Sequence, residues 1–155
     1  PTVARQFKPL FAFYFGGDLP VYSPSIIYEG TPAPSRDRDL NGVIFTDIPW
    51  VLGDDNELRT RATENLSGTR GQPGRLFAMG ADAWHLSKRL PLLKQVESAS
   101  ISGQTGVLTM TPEGSIHREQ LWAQFRNGAP ELIPEPVTEE GEMEGAQEEA
   151  PPLSE

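Results

Sequence analysis

Gly42-Val43-Ile44-Phe45-Thr46-Asp47 is an apolar run without polar alternation, and it ends in a carboxylate. A half-solvated strand alternates apolar and polar side chains, whereas an unbroken run is typical of a strand covered on both faces by helices. Pro49 ends it. The flanking segments supply such helices. Residues 2–16 carry Phe7, Leu10, Phe11, Phe13, Tyr14 and Phe15, which predicts a buried helix with Pro9 near its first turn and Gly16-Gly17-Asp18 at its end. Pro20 to Ser23 reads as a short strand, and residues 29–41 as a polar loop. Asp54 or Asp55 is expected to cap a helix through about Leu66, with Glu57 favouring the dipole in the first turn. Residues 67–74 read as a flexible loop. A second helix follows from Arg75, breaking at Ser87 or before Pro91.

Val107 to Met110, the turn Thr111-Pro112-Glu113-Gly114 and Ser115 to Arg126 predict strand, turn and strand. Asn127-Gly128 offers another tight turn before a last short strand at Glu131-Leu132-Ile133. The order helix, strand, strand, helix, helix, hairpin is an α/β layout with a terminal antiparallel addition.

The formal charge of -9 is unevenly distributed. Residues 134–155 hold eight Glu and no Lys or Arg, leaving the first 133 residues with fourteen acidic and thirteen basic side chains. The body, residues 1–133, is therefore nearly neutral. The Glu-rich tail has almost nothing to bury and is expected to be disordered. Without a basic stripe, counterion release from DNA or RNA is not available, so no nucleic-acid partner is expected. No run of about 18 apolar residues occurs, and the start does not read as a signal peptide. With no cysteine, disulfides and thiolate chemistry are excluded.

Few residues carry a chemical signature. Asp37-Arg38-Asp39-Leu40-Asn41-Gly42 satisfies the first half of a calcium loop, but its twelfth position is Ile48 rather than a bidentate Glu. The chain reads instead as a charged loop with an Asn-Gly turn feeding a buried strand. The only histidines, His85 and His117, fall on a helix and in a hairpin, and no G-x-S-x-G elbow exists. Neither catalytic residues nor a metal or cofactor site are expected. Trp84 and Trp122 read as packing residues. Tyr22, Ser23, Ser25, Asp47 and Trp50 are different, because they sit at or near the predicted C-terminal ends of two strands. In open α/β sheets that edge binds ligands, so these five form the candidate ligand crevice.

Four stretches together carry a resemblance: GDLPVYS at 17–23, DRDLNGVIFTDIPW at 37–50, GRLFAMGADAWHLSKRL at 74–90 and WAQFRNG at 122–128. With TGVLTMTPEGSIHREQLWAQFRNG, the C-terminal pattern resembles the closing segment of type I periplasmic binding proteins. More specifically, the chain resembles the C-terminal domain of the penicillin-binding protein activator (LppC) family. The resemblance implies an α/β fold, part of a type I periplasmic-binding-protein-like (LIV-binding-like) domain with a C-terminal β-hairpin over residues 1–133. It further implies a non-catalytic outer-membrane lipoprotein facing the periplasm, which binds a class A penicillin-binding protein and stimulates peptidoglycan cross-linking. The family's signal peptide, lipid-bearing cysteine and helical-repeat domain are missing here, so the chain reads as a C-terminal fragment, with membrane attachment only through an anchor outside it. The alternative is a periplasmic receptor for an amino acid or cell-wall fragment held at the Ser23/Ser25/Asp47 edge. A chain supplying part of a two-lobed domain should leave apolar surface uncovered, and residues 1–133 alone are expected to fold poorly.

Overall fold

The structure is a computed structural model and describes residues 1–134; the acidic-tail expectation falls at 134–155, and residues 135–155 lie outside the described residues. Among the described residues, five α-helices and seven strands follow in chain order, besides two short 3-10 turns: α1 Thr2–Phe13, β1 Val21–Ser23, α2 Pro34–Asp37, β2 Val43–Asp47, α3 Pro49–Leu52, α4 Glu57–Asn65, α5 Gly71–Gln95, β3 Ser100–Ser102, β4 Val107–Met110, β5 Ile116–Glu119, β6 Leu121–Arg126 and β7 Ala129–Leu132. Two sheets result, one ordered β1-β2-β6-β7 and a smaller one ordered β3-β4-β5. β1 and β2 are parallel, and the β2–β6 and β6–β7 pairs are antiparallel.

The larger sheet buries one face. Val43, Phe45, Ala123 and Phe125 point into a core completed by Ile27, Tyr28 and Leu40. Phe45 and Phe125 stack with centroids 5.1 Å apart, and Tyr28 lies 6.0 Å from each. Each fully buried aromatic ring here contributes about 2–3 kcal/mol. The opposite face corrects the expectation of a strand covered on both sides. Ile44 and Thr46 are only half-buried, and in register with them lie Tyr22, Trp122 and Gln124, with Tyr22 and Trp122 largely exposed. Among the described residues this face is open, with Thr46 and Gln124 standing beside Tyr22, Ile44 and Trp122.

Several local expectations are also corrected. α1 ends at Phe13, short of the expected residue 16; Phe7, Leu10, Phe11 and Phe13 on it are exposed, as are Tyr14 and Phe15 beyond it, and Pro9 is internal. Ala4 of this helix packs against the core, while Arg5 ties its first turn to buried Asp37 through Nε at 2.9 Å. Asp37, which ends α2, is held in that ion pair. The α4 cap is Asn56, whose side chain accepts from the Arg59 N–H at 2.9 Å; Asp55 instead pairs with Arg59. α5 starts at Gly71, inside the expected loop, and continues through Ser87 and Pro91 because Leu86 and Leu93 pack against β3 and β4. The expected long strand 115–126 divides at Gln120: β5 joins the small sheet, while β6 pairs with β2 in the large one. Trp84, expected in the core, is exposed.

Asn127-Gly128 forms the expected turn between β6 and β7. Both residues have positive φ, 51° and 76°, which matches the twist of a two-residue hairpin. Asn41 accepts from the Gly128 N–H at 2.8 Å, fastening this turn to the start of β2.

Candidate functional site

The carboxyl ends of β1 and β2 are adjacent because the two strands run parallel, and α5 begins beside them. Asp47 closes β2 and is fully buried. Its Oδ1 accepts from the Ile48 N–H at 2.8 Å and from Arg75 Nε at 3.0 Å, and its Oδ2 accepts from Arg75 Nη2. The same Nη2 donates to the Tyr28 carbonyl at 3.0 Å and to the Ser25 carbonyl at 3.5 Å. One guanidinium therefore joins the segment after β1, the end of β2 and the first turns of α5. A fork of fixed N–H donors suits this better than an ammonium would.

Burial pushes the Tyr28 phenol above its ordinary range, and the nearby Asp37 and Asp47 carboxylates add to the effect. A neutral phenol in this position keeps a further negative charge away from the two aspartates. On the outer side, the Arg36 hydrogen bond to Glu29 holds that carboxyl below its usual value.

Trp50 is also internal. Its Nε1 donates to the Thr69 carbonyl at 2.9 Å, and its ring lies 5.1 Å from that of Phe77. A Cβ on Gly74 would collide with the Thr69 carbonyl oxygen and sit 3.1 Å from Trp50 Nε1, so glycine permits this close approach. Trp50 and Asp47 thus lie under the sheet end, with their polar atoms already engaged.

The other three candidates diverge. Ser25 contributes its carbonyl to Arg75. Ser23 donates from Oγ to the Pro24 carbonyl at 3.3 Å. Tyr22 projects from the open sheet face and meets the edge of Trp122 at 6.4 Å between centroids. The structure therefore brings Ser25 and Asp47 together through Arg75, sets Trp50 deeper, and turns Tyr22 to the opposite face. Tyr22 and Ser23 also border a cavity of about 200 Å³ between α1 and β1, with Phe7, Phe11 and Ile27.

A second concavity, of about 400 Å³, lies between the 30–32 loop, α4 and the start of α5; Thr31, Arg59, Thr60, Thr63, Glu64 and Arg70 line it. None of the five sequence-named residues reaches it. Sequence reasoning also missed Arg75, although a signal existed. A cation in the opening turns of a helix opposes the dipole, so its placement calls for a specific acidic partner. Among the described residues no group of three or more His, Asp or Glu is arranged to hold a metal ion.

The chain matches the family model described as "LppC putative lipoprotein" over residues 1–128. It is 34% identical over 108 residues to the penicillin-binding protein activator LpoA of Serratia proteamaculans, covering 70% of this chain and 16% of that protein. It is 30% identical over 123 residues to the protein of the same name from Escherichia coli K12, covering 78% of this chain and 18% of that one. The chain thus spans less than a fifth of these relatives' length. Among solved structures, the LpoA C-domain from Haemophilus influenzae, described as a regulator of PBP1A, aligns with a TM-score of 0.71 at 29% identity, covering 86% of this chain and 42% of that one. A "putative branched-chain amino acid ABC transporter" from Chromobacterium violaceum aligns at 0.57 with 26% identity, covering 79% and 39%. The fold is accordingly α/β and part of a periplasmic-binding-protein-like domain.

Proposed function

Because the chain belongs to the LppC family, we propose that it is the C-terminal portion of a non-catalytic regulator that binds a penicillin-binding protein and raises its cross-linking of peptidoglycan. The observation carrying this reading is the family match across residues 1–128, with relatives named as activators of penicillin-binding proteins. The finer reading is a class A enzyme whose transpeptidase is stimulated. The regulator acts from the periplasmic side of the outer membrane, held there by a lipid anchor outside this chain. Support for a non-catalytic reading comes from the polar atoms of Asp47 and Trp50, which are already engaged by Arg75 and the Thr69 carbonyl.

The test is co-purification of the full-length protein with its cognate class A penicillin-binding protein, together with an assay of peptide cross-linking on lipid-linked precursor. Binding with a several-fold rise in cross-linking is expected. Failure of both in the cognate pair sinks the proposal.

A second reading, a receptor for an amino acid or cell-wall fragment, is supported by the polar cleft beside Arg59 and Arg70 and by the likeness to a transporter component. In this reading the cleft takes the ligand, Trp50 holds the Thr69 carbonyl at its wall, and Ser25 and Asp47 act behind it through Arg75, while Tyr22 and Ser23 border the separate cavity beside α1. A ligand present at 100 times its dissociation constant should stabilise the protein by about 2.7 kcal/mol. A broad panel of amino acids and muropeptides that leaves the melting temperature unmoved counts against it.

A further inference from the structure

In an Asn-Gly pair the main chain can attack its own side chain, because glycine has no Cβ to hinder the approach of its nitrogen. The pair occurs twice, at Asn41-Gly42 and Asn127-Gly128, and both asparagines are exposed at turns. Attack requires a glycine nitrogen that is free of an acceptor and able to swing onto the asparagine Cγ. The structure occupies both nitrogens, by different means.

The Gly42 N–H donates to the Phe125 carbonyl at 2.9 Å, and the Gly42 carbonyl accepts from Gln124 Nε2 at 3.3 Å. The first bond continues the β2–β6 ladder, where Ile44 faces Gln124, and Phe125 is fully buried. Freeing this nitrogen means unzipping a central strand pair. The Gly128 N–H is held instead by a side chain, donating to Asn41 Oδ1 at 2.8 Å across 87 residues of sequence. An exposed side chain lets go at a lower free energy than a core ladder opens. Gly128 also lies against Pro34, since a Cβ on it would overlap the Pro34 carbonyl oxygen.

We propose that Asn127 is a latent deamidation site gated by Asn41. When Asn41 releases the Gly128 N–H, that nitrogen attacks Asn127 Cγ. The N–Cγ bond forms, the glycine proton passes through solvent to the side-chain nitrogen, and the Cγ–Nδ2 bond breaks to release ammonia and leave a cyclic imide. Water, the only co-reactant, then opens either imide C–N bond and gives aspartate or isoaspartate. Both products add a negative charge beside Arg126, which pairs with Glu131 at 3.7 Å. Isoaspartate also inserts a methylene into the main chain of a two-residue turn. Arg126 and Ala129 then no longer face each other, and β7 loosens at its closed end. The Asp47–Arg75 contact lies outside this change.

Peptide mapping of the full chain, aged in warm, mildly alkaline buffer, reads both sites, and the urea-unfolded chain gives their ungated rates. Unfolded, positions 41 and 127 should convert alike. Folded, both should slow, with Asn127 converting several-fold faster than Asn41. Asn41→Ala removes the acceptor and should speed conversion at 127 several-fold, whereas Asn41→Asp keeps an acceptor oxygen and should hold the parental rate. If Asn41→Ala does not fold, hydrogen exchange in the parent chain decides: the Gly128 N–H must exchange several-fold faster than the Gly42 N–H. Four outcomes overturn the proposal. They are conversion of Asn41 as fast as Asn127 in the folded chain, a folded Asn41→Ala protein with the parental rate at 127 (which makes Pro34 the guard), an Asn41→Asp protein as fast as the alanine variant, or equal exchange of the two glycine amides.

Discussion

Asp82 accepts hydrogen bonds from the Gln104 N–H and the Thr105 N–H, both at 2.7 Å, and from the Thr105 hydroxyl at 2.6 Å. One buried carboxylate on α5 therefore fixes the bend between β3 and β4. Gly103 passes so close that a Cβ there would lie 2.6 Å from Asp82 Oδ2. The small sheet is joined to α5 by this contact as well as by the Leu93–Ile101–Leu108 cluster.

Asp82→Ala should destabilise the fold by about 3 kcal/mol or more. It leaves two backbone N–H groups and a hydroxyl without their acceptor, and each such group costs about 1–3 kcal/mol when it stays buried. Asp82→Asn retains one acceptor oxygen and should lose roughly half as much. Urea unfolding of the two variants gives the comparison. A loss below about 0.5 kcal/mol for the alanine variant would show that the bend is held by other contacts.

The Asp47–Arg75 pair should behave as a coupled unit. Arg75→Met leaves Asp47 buried with one remaining donor, the Ile48 N–H, and removal of one partner from a buried pair costs about 3–5 kcal/mol. Asp47→Asn leaves the guanidinium without its counter-charge. The double variant should recover part of the summed loss, with a coupling energy of about 1 kcal/mol or more. Strict additivity in that cycle would reject the clasp.

The sequence order of helices and strands was legible where pattern and turn chemistry agree. Examples are the strand at Val43–Asp47, the hairpin through Gly114, and the Asn127-Gly128 turn with both residues at positive φ. Where a residue's role depends on a distant partner, local pattern failed. Pro91 and Ser87 look like helix breaks, yet packing of Leu93 against Ile101 and Leu108 carries α5 past them. Gln120 carries no turn signal, because the division of β5 from β6 is set by pairing with two different sheets. In the site, the strand-end position of Asp47 was readable. Its engagement by Arg75, 28 residues away, was not.

Glycine substitutions should separate backbone strain from collision. Gly114 has φ 84° and open space where a Cβ would stand, so Gly114→Ala should cost only the left-handed penalty of about 1–2 kcal/mol. Gly128 has φ 76°, and its Cβ would overlap the Pro34 carbonyl oxygen. Gly128→Ala should therefore be clearly worse than Gly114→Ala. Gly80→Ala, helical and unobstructed, should stabilise by about 0.5–1 kcal/mol. Thermal melts of the three variants give the order; equal effects at positions 114 and 128 would contradict the Pro34 contact.

Tyr28 predicts an alkaline limit to stability. Its phenol is raised above the ordinary value of 10.0, first by burial and then by Asp37 and Asp47. The folded state therefore holds this proton more tightly than the unfolded chain does. Its contribution is fully present below about pH 10 and is lost as pH rises through the unfolded and then the folded value. Tyr28→Phe keeps the ring that packs against Phe45 and Phe125 but removes the proton. Between pH 8 and 11, urea unfolding midpoints should fall more steeply in the parent than in the Phe variant. Parallel decline in the two proteins would assign the alkaline loss to other groups.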